Sequence, residues 1–235
     1  MLGSFLNVCV FRLPRRCLRV WKPKLSFCPV CNRTIAWYDN LPIASFLLLR
    51  GRCRHCATGI PVRYFLVEVA TALFFLYVAS TQLMGDERHV VTAVGEVVFF
   101  ALLLVGALVD LDWRIVPAAV TVPGILVGIL LLGWRGVLGA LVGAAALWTI
   151  RVLLSKIRGR EIERPGAVSY LAMIGAFTGV EGVLCALAVA ALYSLPPRSG
   201  GRAGVGGALA AGAALFAFVP AVREHVLALE TLWRR

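Results

Sequence analysis

The sequence predicts an all-α polytopic membrane protein with about seven membrane helices and a small cysteine-bearing segment outside the membrane. Hydrophobic residues make up 60% of the 235 positions, and the mean hydropathy is +0.86. Ordinary soluble domains are less apolar, at about 45–50%. Mostly apolar runs of 18 or more residues, long enough to cross a hydrocarbon core of about 30 Å, recur along the chain. Two C-x-x-C pairs precede the first of the full-length runs.

Charge and hydropathy divide the chain into three predicted segments. Residues 1–11, "MLGSFLNVCVF", are apolar but short, and we expect them to be the remnant of a first membrane helix that begins upstream. Residues 12–63 carry eleven Lys and Arg against one acid, Asp39, so this segment is predicted to be cytoplasmic and attracted to anionic lipid. Residues 64–235 are predicted to form a membrane-embedded helical domain. No nucleic-acid recognition motif accompanies the positive charge, so nucleic acid is not an expected partner.

The predicted spans follow from the apolar runs in order. Four of them begin near Tyr64, Val90, Ile115 and Gly136, and the last covers residues 203–222. Between the run near Gly136 and the last run, "AVSYLAMIGAF" is too short to cross a membrane comfortably, and "TGVEG" is predicted to break the helix. The segment "VLCALAVAALYSL" is predicted to form a helix that crosses back. The basic loops "SKIRGREIER" and "PPRSGGR" are predicted to share the cytoplasmic side with the N-terminal segment.

The four paired cysteines predict a metal site. Cys28 and Cys31 are separated by 21 residues from Cys53 and Cys56. Each C-x-x-C pair forms a short turn known as a knuckle, and two knuckles are typical of a structural Zn²⁺ site with four thiolates. Disulfides are disfavoured in the cytoplasm. His55 lies inside the second knuckle and is a competing ligand. The alternative is two unrelated pairs of reduced cysteines.

Among the acids, Asp110 is the candidate for chemistry. It ends a 20-residue apolar run at the predicted inner face, and carboxylates that border membrane helices are costly and therefore often functional. The alternative is a structural one, in which Asp110 caps the helix that begins at Ile115. Asp112 lies two residues on, so the two carboxylates do not share a helix face.

Several motifs together resemble the type IV prepilin peptidases: "GSFLNVCVFRLPRR", the cysteine quartet with "WYDNLPIASFLLLRGRC", "RYFLVEVATALFF", "VDLDWRIVPAAVTVPG" and "LAMIGAFTG". The resemblance implies a bifunctional enzyme of the bacterial inner membrane. Such enzymes cleave the leader from type IV prepilins or type II secretion pseudopilins. They then methylate the new N-terminus with S-adenosylmethionine. In this family Asp110 corresponds to a catalytic aspartate.

The same resemblance exposes a departure at the second catalytic aspartate. The family places it in a G-x-G-D motif, whereas this chain has "RPGA", with Ala167 at the position of the acid. An aspartic peptidase needs two carboxylates that share one proton, so Asp110 alone cannot fill both roles. Glu161, Glu163 and Asp112 are the possible substitutes. The expected function is therefore that of a prepilin-peptidase-like membrane protein with doubtful cleavage. The alternatives are a non-cleaving prepilin-binding or assembly factor, or a methyltransferase only.

Overall fold

The computed structural model describes residues 1–15, 20–21, 26–82, 87–158, 166–194 and 205–218. Within these ranges the regular structure is helical, with a few isolated β-bridges. The α-helices are α1 (Leu2–Arg12), α2 (Ala44–Leu48), α3 (Val62–Gln82), α4 (Glu87–Trp113), α5 (Ala118–Leu132), α6 (Trp134–Arg158), α7 (Ala167–Ser194) and α8 (Val205–Phe218). A short 3₁₀-helix covers Trp37–Asn40. The predicted all-α fold is confirmed.

The helices are those of a multi-pass membrane protein. By length and composition, α3, α4, α6 and α7 can each cross a membrane, and α1, α5 and α8 are shorter apolar helices. Large apolar side chains project outward from them, among them Leu76, Leu130 and Trp148. An outward apolar surface suits contact with lipid rather than water. The described part of the chain thus holds the seven or so apolar helices that the sequence predicts.

The chain forms two compact units, an N-terminal unit of residues 1–97 and a C-terminal unit of residues 98–235. In the N-terminal unit α1 packs against α3. Gly3 allows this approach, because a Cβ at that position would lie 2.9 Å from the Cα of Glu68. Nearer the other end of α1, the side-chain amide of Asn7 donates to the carbonyl of Tyr64 at 3.1 Å.

The C-terminal unit is built around the first half of α7. Tyr170, Leu171, Met173 and Ile174 are all completely buried there. α7 packs against α5, α6 and α8. Small residues let these backbones approach closely, as in many membrane bundles: a Cβ at Gly143 would lie 2.6 Å from the carbonyl oxygen of Leu171.

α7 is broken at Gly179, where the backbone adopts φ +72° and ψ −168°. Glycine is the residue that tolerates this conformation. A Cβ at Gly175 would come within 2.9 Å of Val183 Cγ2, although residues eight apart lie about 12 Å apart along an unbroken helix. The chain therefore turns sharply inside α7. The break that the sequence predicts at "TGVEG" is confirmed.

Candidate functional site

The two cysteine knuckles share one backbone design. In the first, the N–H of Asn32 donates to the carbonyl of Cys28 at 2.8 Å, and Asn32 has φ +55°. In the second, the N–H of Ala57 donates to the carbonyl of Cys53 at 2.9 Å, and Ala57 has φ +56°. Each knuckle is thus a tight turn that closes one residue after its second cysteine, and each turn presents both of its thiols on one side.

An isolated β-bridge holds the base of each knuckle. Phe27 pairs with Thr34 across the first knuckle, and Arg52 pairs with Gly59 across the second. The backbone N–H of Cys28 donates to the carbonyl of Arg33 at 2.9 Å and reinforces the first bridge. These local hydrogen bonds fix the cysteine backbones independently of a metal ion.

The fold brings all four cysteines together. The sulfur atoms of Cys28, Cys31, Cys53 and Cys56 all lie within 4.8 Å of one another, and the Cys28 and Cys56 sulfurs are 3.8 Å apart. A tetrahedral Zn²⁺ with arms of about 2.3 Å has sulfur–sulfur edges of about 3.8 Å, so the donor set and its spacing suit such an ion. His55 is outside the cluster, and its Nδ1 lies 3.4 Å from Arg33 Nη1. The four cysteines could therefore hold a metal ion without His55.

The electrostatics of the second knuckle favour a thiolate at Cys53, whereas desolvation and hydrogen bonds with the neighbouring thiols raise the pKa of Cys56 to about 11. Backbone hydrogen bonds from Cys56 and His55 lower the pKa of Cys53 to about 7. Next to this thiol, Arg54 makes a two-pronged hydrogen bond to Asp39, with Nε 2.7 Å from Oδ2 and Nη2 2.5 Å from Oδ1. That hydrogen bond holds the pKa of Asp39 below its usual range. The Arg54–Asp39 pair ties the 3₁₀-helix to the second knuckle.

Asp110 lies near the C-terminal end of α4 and is 2% exposed. Arg114 closes the helix: it has φ +56°, and its N–H donates to the carbonyl of Asp110 at 2.9 Å. The structural interpretation of Asp110 as a cap of the next helix stays a prediction, and that helix begins three residues later than the expected Ile115. α5 begins at Ala118 with Pro117 at its N-cap and has no side-chain cap hydrogen bond.

Ala167 is the first residue of α7 and is buried. The preceding residue, Gly166, has φ +84°, and a Cβ there would collide with the carbonyl oxygen of Val116. This is a second position at which only glycine fits. The start of α7 is therefore pressed against the connection between α4 and α5, directly after Asp110 and Arg114.

Tyr170, one turn further along α7, contacts α4 itself. Its hydroxyl donates to the carbonyl of Leu103 at 2.7 Å, and its ring occupies the space beside Gly106. It also lies close enough to Asp110 for an electrostatic interaction. Ala167 lies between Gly166 and Tyr170 in the sequence. The residues that these two contact, Val116 and Gly106, lie on either side of Asp110 in the sequence. The two segments that carry Asp110 and Ala167 are therefore in contact.

Of the three remaining candidate acids, only Asp112 lies within the described residues. Asp112 is exposed, in contrast to Asp110. Glu161 and Glu163 lie outside the described residues, so their role as substitutes stays a prediction. The residues that our sequence reasoning missed are Tyr170 and Thr121. Thr121 is fully buried, and its hydroxyl is one of the buried atoms without a hydrogen-bond partner in the described part of the chain. A hydroxyl within an apolar run was the available signal, because such groups need a partner inside a membrane.

Comparisons with known proteins agree on one family. The family model for the bacterial peptidase A24 N-terminal domain matches residues 1–82. Three relatives are each named prepilin leader peptidase/N-methyltransferase. The protein of Myxococcus xanthus (strain DK1622) is 39% identical over 81% of this chain, and the match spans 57% of that relative. The protein of Klebsiella pneumoniae is 33% identical over 77% of this chain and 82% of its own length. The protein of Pseudomonas putida is 34% identical over 76% of this chain and 70% of its own length.

No solved structure gives a significant match to this chain. The Klebsiella and Pseudomonas proteins are aligned over more than two thirds of their lengths, at identities above 30%. The resemblance read from the sequence motifs is therefore confirmed. This chain belongs to the prepilin leader peptidase/N-methyltransferase family.

Proposed function

We propose that this protein acts on type IV prepilins or type II secretion pseudopilins in a bacterial inner membrane. It has the machinery of a membrane aspartic peptidase and N-methyltransferase, but it lacks one of the two carboxylates that cleavage requires. The shared name of its relatives and its apolar helices support this proposal. The substrate is the apolar N-terminal helix of the prepilin together with its leader.

The observation that carries the proposal is the contact between the segments that hold Asp110 and Ala167. Asp110 is the retained catalytic carboxylate. In a working pair, one carboxylate takes a proton from water while the other, protonated, polarises the scissile carbonyl. Ala167 has no group that can do either. The contacts of Gly166 with Val116 and of Tyr170 with Leu103 support a site that keeps its shape without the second acid.

One carboxylate is not enough for this chemistry, so we expect no detectable leader cleavage by the unmodified chain. Glu161, Glu163 and Asp112 are the acids that stand nearest along the sequence to the two catalytic positions. The exposure of Asp112 argues against its substitution for the missing aspartate. If cleavage does occur, Glu161→Gln and Glu163→Gln will identify the acid responsible.

Cys28, Cys31, Cys53 and Cys56 hold a structural Zn²⁺. Four thiolates leave no open coordination position for water, so this ion stabilises the fold and does not take part in the reaction. S-adenosylmethionine, when bound, supplies the methyl group for the second half-reaction. The basic segment of residues 12–63 faces the cytoplasm and contacts anionic lipid headgroups, since its positive charge lies directly before α3.

The second candidate function is non-enzymatic or partial. The replacement of the acid by Ala167 favours a family member that binds prepilins, or assists assembly of the pilus or secretion system, without cutting. A methyltransferase without peptidase activity is intermediate between the bifunctional enzyme and this non-enzymatic family member.

One experiment separates these functions. Purified protein in lipid nanodiscs is incubated with a candidate prepilin and, separately, with the same pilin already freed of its leader. We expect binding of both, methylation of the leaderless form alone, and cleavage of neither. Methylation of the leaderless form without cleavage is the result that the proposed function predicts, and it assigns the chain a methyltransferase activity without peptidase activity. Binding without either reaction supports the assembly factor instead. Failure to bind either form would contradict the proposed substrate class.

A further inference from the structure

Thr121, at the beginning of α5, carries a hydroxyl that its own helix does not use. The residue is completely buried, and its Oγ1 has no hydrogen-bond partner among the described residues. Threonines inside helices can donate to the carbonyl four residues earlier, as Thr71, Thr149 and Thr178 do at 2.6, 2.7 and 2.7 Å. For Thr121 that carbonyl belongs to Pro117 and already accepts two backbone N–H groups. The Thr121 hydroxyl therefore needs an acceptor from another element, because a buried polar group without a partner costs free energy.

The neighbour of Thr121 on α7 follows from two close contacts between α5 and α7. A Cβ at Gly124 would lie 2.5 Å from Met173 Sδ, and a Cβ at Gly128 would lie 2.8 Å from the Cβ of Ala176. The residue numbers rise together, so the two helices run in the same direction. Thr121, Gly124 and Gly128 are spaced by three and four residues and share one face of α5. That face is the one turned toward α7.

The end of α4 and the beginning of α7 lie at the level of Thr121. Thr121 is level with Tyr170, because each is one turn before the first of the two α5–α7 contacts. Tyr170 in turn packs against Gly106 of α4. One turn further toward the helix ends lie Ala167 on α7 and Asp110 on α4. Because Cα–Cβ bonds tilt toward the N-terminus of a helix, the Thr121 side chain leans toward this pair.

The groups described at this level leave the hydroxyl without an acceptor. Asp110 is present and buried, yet Thr121 Oγ1 makes no hydrogen bond to it. Tyr170 directs its own hydroxyl to the carbonyl of Leu103. Ala167 is buried and ends in a methyl group. A carboxylate at position 167 would supply the acceptor, since an ionised carboxylate only accepts hydrogen bonds and has two oxygens to accept them.

We propose that Thr121 is a positioning residue of this site, whose hydroxyl donates a hydrogen bond to a carboxylate at position 167. This inference rests on the proposed function, which places the second catalytic carboxylate there. Such a charge-assisted hydrogen bond is short and strong, and it fixes the orientation of the carboxylate next to Asp110. In this chain the donor is present, whereas Ala167 stands in place of the acceptor. The unpartnered hydroxyl of Thr121 is thus the counterpart of the missing acid.

The first test is a measurement of thermal unfolding and needs no substrate. Thr121→Val is made in the full-length, metal-loaded protein in two backgrounds, the unmodified chain and Ala167→Asp, and Tm is measured in mixed micelles. Valine keeps the shape of threonine and removes an unpartnered hydroxyl, so we expect no decrease of Tm in the unmodified chain. In Ala167→Asp the same change should lower Tm by about 3–6 °C, because a hydrogen bond to a charged group is lost.

Thr178→Val is the matched control for this measurement. Its hydroxyl donates within its own helix, so its loss should shift Tm equally in both backgrounds. An equal shift for Thr121→Val in the two backgrounds would overturn the inference, since the hydroxyl would then not depend on the residue at position 167.

The second test is leader cleavage in the Ala167→Asp background. We expect Thr121→Val to lower kcat about 10²-fold and to change KM less than two-fold, because the hydroxyl orients the carboxylate and does not touch the substrate. Thr121→Ser keeps the hydroxyl and should retain most of the rate. Undiminished kcat in Thr121→Val, or equal losses in the serine and valine variants, would overturn the inference. If Ala167→Asp does not cleave although Tm shows the dependence on position 167, the hydrogen bond stands and the proposed peptidase site is rejected.

Discussion

The two compact units differ in how they are packed. The N-terminal unit encloses a cavity and carries two knuckles that hydrogen bonds shape locally. In the C-terminal unit the helices pack so closely that glycines such as Gly128 and Gly143 leave no room for a methyl group. The first unit thus combines a cavity with a close contact at Gly3, whereas the second unit has close backbone contacts at several glycines. We therefore expect the removal of a side chain to affect stability and function differently in the two units.

Ala167 illustrates the difference. It is a buried position in the tightly packed unit, where an ionised carboxylate would pay a desolvation penalty. On the proposed function, alanine in place of an aspartate at position 167 removes chemistry without removing a packing contact, because Gly166 and Tyr170 make contacts of this segment. The fold of the site is therefore independent of the acid that it lacks.

The largest expected effect is loss of the metal ion, which should unfold part of the N-terminal unit and leave the C-terminal unit folded. The double change Cys28→Ser and Cys53→Ser should abolish metal binding, since structural zinc sites contribute about 10–16 kcal/mol of apparent binding free energy to folding. We expect one Zn²⁺ per chain before the change and none after it, by elemental analysis. Limited proteolysis should then cut within residues 26–60 and leave the C-terminal unit intact. Cys185→Ser is the control, and retention of stoichiometric metal by the double variant would contradict the quartet.

The next effect lies in the C-terminal unit. Gly166→Ala should destabilise it by about 2–4 kcal/mol, because the new Cβ meets the carbonyl of Val116 and the backbone is held at φ +84°. Unfolding in mixed micelles measures the loss. Gly207→Ala is the matched control, since a Cβ there makes only ordinary contacts at 3.8 Å with Leu111. Equal stability of the two variants would show that the contact at Val116 is not made.

A smaller effect tests the contact between α7 and α4. Tyr170→Phe keeps the ring beside Gly106 and removes only the hydroxyl that donates to Leu103. We expect a loss of about 1–2 kcal/mol, the usual range for a buried hydrogen bond, in the same micelle assay. Tyr38→Phe, on a half-exposed ring of the N-terminal unit, should have no measurable effect. If Tyr170→Phe left the free energy of unfolding unchanged, one support for the contact between the Asp110 and Ala167 segments would be lost.

The smallest effect concerns the pair formed by the exposed Arg54 and by Asp39, whose side chain is 9% exposed. Asp39→Asn weakens the tie between the 3₁₀-helix and the second knuckle, but solvent screens the charges. We expect a chelator to remove the metal no more than two-fold faster at low salt. The difference should vanish at 1 M salt, where the Debye length is about 3 Å. A large, salt-independent acceleration would mean that the pair holds the knuckle by more than charge.

Local patterns predicted much of this molecule. Apolar runs gave the helices, paired cysteines gave the quartet, and "TGVEG" gave the break at Gly179, because each depends on residues that are close in sequence. The contacts at Val116 and Leu103 were not predictable, since they join positions about 50 and 67 residues from their partners. Nor did any spacing indicate the cavity, which depends on three separate segments. The expected start of the fifth apolar helix at Ile115 was three residues early, because Pro117 lies at the N-cap and α5 begins at Ala118.

The central claim is that this chain does not cleave leader peptides because one of the two catalytic carboxylates is absent. The site is otherwise folded as cleavage requires. The direct measurement compares leader cleavage by the unmodified chain, Ala167→Asp and Ala167→Asn in nanodiscs, all folded and metal-loaded. We predict cleavage by Ala167→Asp alone, at least about 10³-fold above the other two, and its loss when Asp110→Asn is added. Robust cleavage by the unmodified chain would contradict the claim, and so would a folded Ala167→Asp protein that does not cleave.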